Sequence, residues 1–147
     1  MEIIKPSALT LEFLNSGPNG IPLFICTDAP RTKRKLDEAG FKVVRINTLL
    51  AKALLNYPVK DRPKHIESEL KELLNYHVPI LITDFEMLFD PRYEIDVIKF
   101  FCEKARIINV AVKWPGKYGD GQLIYAEPEC ADYHKYNCDS YQIRIVQ

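Results

Sequence analysis

The chain has 147 residues, which fits a single domain with one core. Twenty basic residues balance twenty acidic ones, so the formal net charge is zero and a whole-chain basic signal for nucleic acid is absent; any such contact would need a local patch. No apolar run approaches the roughly 20 residues that span a bilayer, and residues 1–14 carry Lys5 and Glu12 where a signal peptide has an apolar stretch, so a cytoplasmic protein without a membrane partner is expected.

In chain order, residues 7–15 read as a short helix with Ser7 as its N-cap, followed by a turn cluster over 16–20. Residues 21–26 are a short apolar run, the pattern of a buried strand. A polar segment, 27–35, leads into a helix that ends at Gly40, a C′ glycine. Residues 41–46 read as a second strand. Asn47 is placed to cap a helix with Leu49, Leu50, Ala53 and Leu54 on one face, and Tyr57-Pro58 ends it because a residue before proline avoids the α region.

The clearest helix is 61–75, where Ile66, Leu70, Leu73 and Leu74 recur at i, i+4, i+7 and i+8. Residues 79–83 are apolar almost throughout, as in a strand covered on both faces. Asp90-Pro91 reads as an N-cap and first helical residue of a helix with Ile98, Phe101, Cys102 and Ala105 on one face. Residues 107–113 form a fourth strand and 114–121 a turn-rich loop. Residues 122–126 and 142–146 are late strands separated by a Tyr-rich irregular stretch. There is no internal repeat, coiled-coil run or long linker. Strands alternating with helices predict one α/β domain over 1–147, three-layered, with right-handed crossovers and a mostly parallel sheet. Such sheets bind ligands beyond the carboxyl ends of their strands, which singles out the ends after Cys26 and after Thr83.

The strand over 79–83 runs into Asp84-Phe85-Glu86. An apolar strand ending in two acids is the Walker B pattern of P-loop NTPases: Asp84 would hold Mg²⁺ and Glu86 would orient or deprotonate an attacking water. The alternative is that both acids cap the turn that follows. A Walker B element needs a phosphate loop, G-x-x-x-x-G-K-[ST], between a strand and a helix. In that place stand residues 27–34, with Thr27 and Thr32 at the glycine positions, Lys33 at the lysine and Arg34 at the Ser/Thr position. Glycine there lets the backbone turn its N–H groups onto phosphate, and threonine adopts positive φ poorly. Thr32, Lys33 and Arg34 are therefore candidate nucleotide-binding residues in a degenerate loop. The run Arg31, Lys33, Arg34 and Lys35 reads as a solvated helix face, with a phosphate or nucleic-acid backbone contact at the helix N-terminus as the alternative.

Cys130, His134 and Cys138 have side chains suited to zinc, with Asp132 or Asp139 as a fourth ligand, but their spacing matches no common zinc finger. Trp114, Tyr118, Tyr125, Tyr133, Tyr136 and Tyr141 stand among Lys113, Lys117, Lys135 and Arg144. They read as packing at a sheet end or a protein interface, with base stacking as the alternative. Cys26 and Cys102 lie in apolar stretches and read as small buried hydrophobes.

The segment ITDFEMLFDP over 82–91, with VKWPG over 112–116, LIYAEP over 123–128 and YHKY over 133–136, resembles the BrxF family of small P-loop proteins of type 3 BREX phage-defence systems. The likeness covers roughly the C-terminal half; the N-terminal half agrees only in its order of elements. It implies a P-loop NTPase fold of a truncated, AAA-like type, with other defence-system proteins and DNA as partners and a homo-oligomer as an option. Asp84 and Glu86 match the Walker B acids, and Lys33 matches the Walker A lysine by spacing alone. The strand over 109–113 would carry the sensor position, although no polar residue near its end stands out.

Three readings follow. The first is an accessory subunit of an anti-phage system, a degenerate P-loop fold that serves assembly or DNA contact without hydrolysis and needs no cofactor. The second is an active, divergent ATPase using Mg²⁺, with Arg92 or Arg106 acting in trans in an oligomer. The third is a generic α/β protein-interaction module. The missing glycines beside an intact acidic strand favour the first.

Overall fold

A computed structural model describes residues 1–147. Numbered in chain order, its strands are β1 (Glu2–Ile4), β2 (Leu23–Ile25), β3 (Lys42–Arg45), β4 (Ile80–Thr83), β5 (Val110–Lys113), β6 (Lys117–Gly119), β7 (Gln122–Tyr125), β8 (His134–Asn137) and β9 (Arg144–Val146). The helices are α1 (Leu11–Leu14), α2 (Pro30–Glu38), α3 (Ile46–Leu54), α4 (Arg62–Leu73) and α5 (Val97–Lys104). Six strands pair in the order β1-β9-β2-β5-β4-β3, every pair parallel. The expected mostly parallel α/β sheet is thus present. A separate antiparallel sheet, β6-β7-β8, was not anticipated. No helix is long and apolar enough to cross a membrane.

Side chains on a strand alternate between faces, and here both faces are apolar. Leu23, Ile25, Leu81, Ala111 and Val146 join Leu14 and Leu36 of α1 and α2 in one cluster. Phe24, Ile80, Ile82, Val110, Val112 and Ile145 join α3, α4, α5 and the small sheet in the larger one. Strand order explains the split. From β2 the chain moves three places along the sheet to β3, then returns through β4 and β5 to β9. Right-handed crossovers in opposite directions lay their helices on opposite faces.

Several expected boundaries move, and at α1 and α5 a different side chain makes the cap. Residues 6–8 form a 3-10 turn, and Thr10, not Ser7, caps α1 by accepting the Phe13 N–H at 3.1 Å. Asp96, not Asp90, caps α5, its carboxylate accepting the Lys99 N–H at 3.0 Å; Asp90 instead pairs with Arg92 at 2.6 Å. Asn47 lies inside α3, whose buried stripe is Ile46, Leu50 and Leu54, with Leu49 on the exposed side. The Tyr-rich stretch contains β8, and β1 at the start of the chain adds a parallel edge strand beside β9.

Trp114, Tyr118, Tyr125, Tyr136 and Tyr141 pack against the main core, as the plainer of the two readings has it, and Tyr133 does not join them. Trp114 is buried, meets Phe24, Phe89 and Tyr136 edge-on, and donates from Nε1 to the Ile124 carbonyl at 3.1 Å. Tyr125 stacks on Phe89 with centroids 4.1 Å apart. Phe85, between the two candidate acids, lies fully buried against Phe89, Phe101 and Trp114, and through Phe89 and Trp114 it joins the aromatic cluster that reaches Tyr125 and Tyr136 of the small sheet. Phe85→Ala should therefore cost about 3–5 kcal/mol of stability, read from the shift in urea midpoint.

All four cysteines are free. Burial pushes the Cys26 thiol up to about 12 and the Cys102 thiol up to about 11, both from 9.0. The folded state keeps these protons longer than the unfolded state does. Their contribution to stability is whole below about pH 9 and is lost as pH rises toward 11–12. The melting temperature should fall between pH 8.5 and pH 11, and the fall should shrink in Cys26→Ala.

Candidate functional site

Register lines up the carboxyl edge of the sheet. Ile25 pairs with Lys113, Ala111 with Leu81, and Thr83 with Arg45, so Ile25, Lys113, Thr83 and Arg45 form one row across β2, β5, β4 and β3. This row stands on the α2 face, one step beyond the apolar row Leu23, Ala111, Leu81 and Val43. The start of α2 closes over it. The result is a cleft of about 260 Å³ lined by Thr27, Thr32, Lys33, Arg45, Asp84 and Lys113 among others. It lies beside β2 and β5, whose onward connections leave on opposite faces, the point where parallel sheets bind ligands. Three cations (Lys33, Arg45, Lys113) face two carboxylates (Asp28, Asp84) in it.

The loop into α2 does not have the conformation of a phosphate loop. Pro30, with its preset φ, is the first helical residue and starts the helix early, so Thr32 and Lys33 already lie in the first turn. No residue of 26–34 has positive φ, and the alternating backbone that makes an anion-cradling nest is absent. Thr27 Oγ1 accepts the Ala29 N–H at 3.3 Å, and the Ala29 carbonyl accepts the Thr32 N–H at 3.1 Å. Thr32 is 2 % exposed, and its Oγ1 is buried without a hydrogen-bond partner. Among the basic run, Lys33 lines the cleft, Arg34 lines the adjoining apolar groove over Val43 and Leu81, and Arg31, Arg34 and Lys35 are solvated.

The two acids separate. Asp84 sits at φ 49°, a left-handed conformation that Asp tolerates better than most residues. Its carbonyl accepts the Asn47 N–H at 2.6 Å, and the turn it makes drives Phe85 into the core. Its carboxylate lines the cleft with Arg45 Nε 3.7 Å away. Glu86 lies outside the cleft and lines a broad depression with Asp90 and Asp132. It accepts from Asn47 Nδ2 at 2.7 Å, while Asn47 Oδ1 accepts the Met87 N–H at 3.1 Å. Asn47 therefore clasps the acidic turn from α3, a role that sequence distance hides.

The zinc candidates do not assemble. Cys138 is buried in the main core, Cys130 is exposed in a turn, and His134 turns Nδ1 to the Asp132 carbonyl at 2.9 Å with its ring against Phe89 and Tyr136. No three His, Cys, Asp or Glu side chains stand where they could hold a metal ion together. Asn109, at the start of the candidate sensor strand, faces the opposite sheet edge and donates to the Leu14 carbonyl at 3.3 Å. Arg45 is absent from the sequence expectations and Lys113 enters them only as a cation beside the aromatic stretch; the signal for both is position, since each ends a parallel strand on the ligand-binding edge.

No family model matches the chain, and comparison with curated proteins and with solved structures finds no significant match.

The backbone role of Asp84 makes a separable prediction. Asp84→Asn and Asp84→Gly should stay within about 0.5 kcal/mol of the parent, whereas Asp84→Val, with a β-branched residue at positive φ, should lose about 1–2 kcal/mol, measured by chemical denaturation.

Proposed function

We propose that this protein is an accessory subunit of an anti-phage defence system, a P-loop-related fold that uses the cleft at Lys33, Arg45 and Lys113 to contact a phosphate group and does not hydrolyse ATP. The observation that carries the reading is the convergence of three cations from α2, β3 and β5 on one cleft, while the two acids needed for hydrolysis are divided. Asp28 and Arg31 N–H groups make no hydrogen bond within the protein and add donors at the start of α2. The placing of β5 between β2 and β4 agrees with the AAA-like relationship that the sequence resemblance implies.

The residues fit the two implied ligands unequally. A phosphate group suits Lys33 and Lys113 as point charges and Arg45 as a forked donor. Mg²⁺ does not suit the site, since Asp84 already faces a guanidinium and Glu86 is held elsewhere by Asn47. No hydrolytic step is assigned to Glu86 for that reason. DNA is the phosphate source that an accessory role in defence favours, and its contact would be non-specific in sequence.

Fluorescence anisotropy with a labelled DNA strand at low salt tests this. Binding should weaken about tenfold in the Lys33→Ala, Lys113→Ala double variant and fall steeply as salt rises. ATP turnover, measured in parallel, should be absent. Turnover that vanishes in Glu86→Gln would replace this reading with an active ATPase.

A further inference from the structure

We infer that Arg45 takes the place of a divalent cation in the cleft, so that the site binds its phosphate group without metal and Asp84 acts as the positioning residue for Arg45. The inference rests on the phosphate reading above and concerns how that ligand is held.

Mg²⁺ bound directly to a carboxylate sits about 2.0–2.1 Å from the oxygen and usually shares its shell between one or two carboxylates and substrate phosphates. Beside Asp84 Oδ2 that position is contested by Arg45 Nε at 3.7 Å. Lys33 and Lys113 line the same cleft, so a divalent ion would join three positive charges that already outnumber the two carboxylates there, Asp28 and Asp84. The carboxylate best placed in sequence to help, Glu86, lines a different depression and is engaged by Asn47. The cleft therefore already holds, in protein groups, the positive charge that a metal supplies elsewhere.

Arg45 suits the part chemically. A guanidinium is always charged and offers paired N–H donors that match two phosphate oxygens, which a lone ammonium does not. Its place comes from the sheet: it ends β3 in register with Thr83 and in the row that contains Lys113. The pair with Asp84 is open to solvent, with side chains 70 % and 57 % exposed, so it adds little to stability; its effect is to keep the guanidinium beside the cleft, 3.7 Å from Asp84 Oδ2. Thr32, whose Oγ1 is buried without a hydrogen-bond partner, lines the same cleft.

The test is calorimetric titration of the full chain with inorganic pyrophosphate, in EDTA and again in excess Mg²⁺. Wild type should bind in EDTA and gain nothing from Mg²⁺. Arg45→Ala should bind about tenfold more weakly in EDTA and recover most of that loss in Mg²⁺, because Asp84 is then free to take the ion. The Arg45→Ala, Asp84→Asn double variant should not recover. Circular dichroism of each variant reports folding. Binding by wild type only in Mg²⁺ would overturn the inference and leave the phosphate reading standing. No binding of pyrophosphate or labelled DNA under either condition would overturn both.

Discussion

The constraint on which the rest of the molecule depends is the register of the central parallel strands. Each of β2, β4 and β5 is buried on both faces, with Phe24, Ile80, Ile82, Val110 and Val112 toward α3, α4 and α5 and Leu23, Ile25, Leu81 and Ala111 toward α2. A one-residue slip would exchange the two faces and drive Phe24 into the smaller cluster. Because that exchange is costly, the last residue of each strand has a determined direction. Lys113 and Arg45 meet in one row for this reason, although 68 positions separate them in the chain.

The cleft shows how a chain of zero formal net charge can still present a local field. Its cations come from three elements that are distant in sequence, so no basic run announces them. Of the basic residues in the visible run, Arg31, Lys33, Arg34 and Lys35, only Lys33 lines the cleft and the others are solvated, as a helix with a period of 3.6 residues requires. Local charge density in the sequence and local charge density in space are here different things.

The acidic turn is built from packing as much as from charge. Phe85 anchors it in an aromatic cluster shared by both sheets, Asp84 supplies the left-handed bend, and Asn47 ties Glu86 to α3. Three residues that read as a catalytic signature also meet the needs of a chain leaving a buried strand and turning sharply. An acidic strand end therefore acquires chemical meaning only from what faces it. Here a guanidinium faces one carboxylate and an amide faces the other.

Much of the fold was legible because it rests on local physics. Apolar runs and the 3.6-residue stripe Ile66, Leu70, Leu74 marked the inner strands and α4, and Gly40 at φ 86° closed α2 as a C′ glycine must. What failed was non-local or decided between near-equal choices. Thr10 competes with Ser7, and Asp96 with Asp90, as caps, and the sequence offers no local ground for choosing between such similar residues. The strands β1, β6 and β8 are three or four residues long and borrow their stability from neighbours, so their own composition says little. Of the site, the sequence by itself determined the acidic strand end, the absence of glycines at the loop and the presence of Lys33. Tertiary structure alone decided that Arg45 and Lys113 join Lys33, that Glu86 leaves the cleft, and that Cys130, His134 and Cys138 do not assemble into a metal site. The physical reason is that strand order and register, set by burial over the whole sheet, choose which distant residues share an edge.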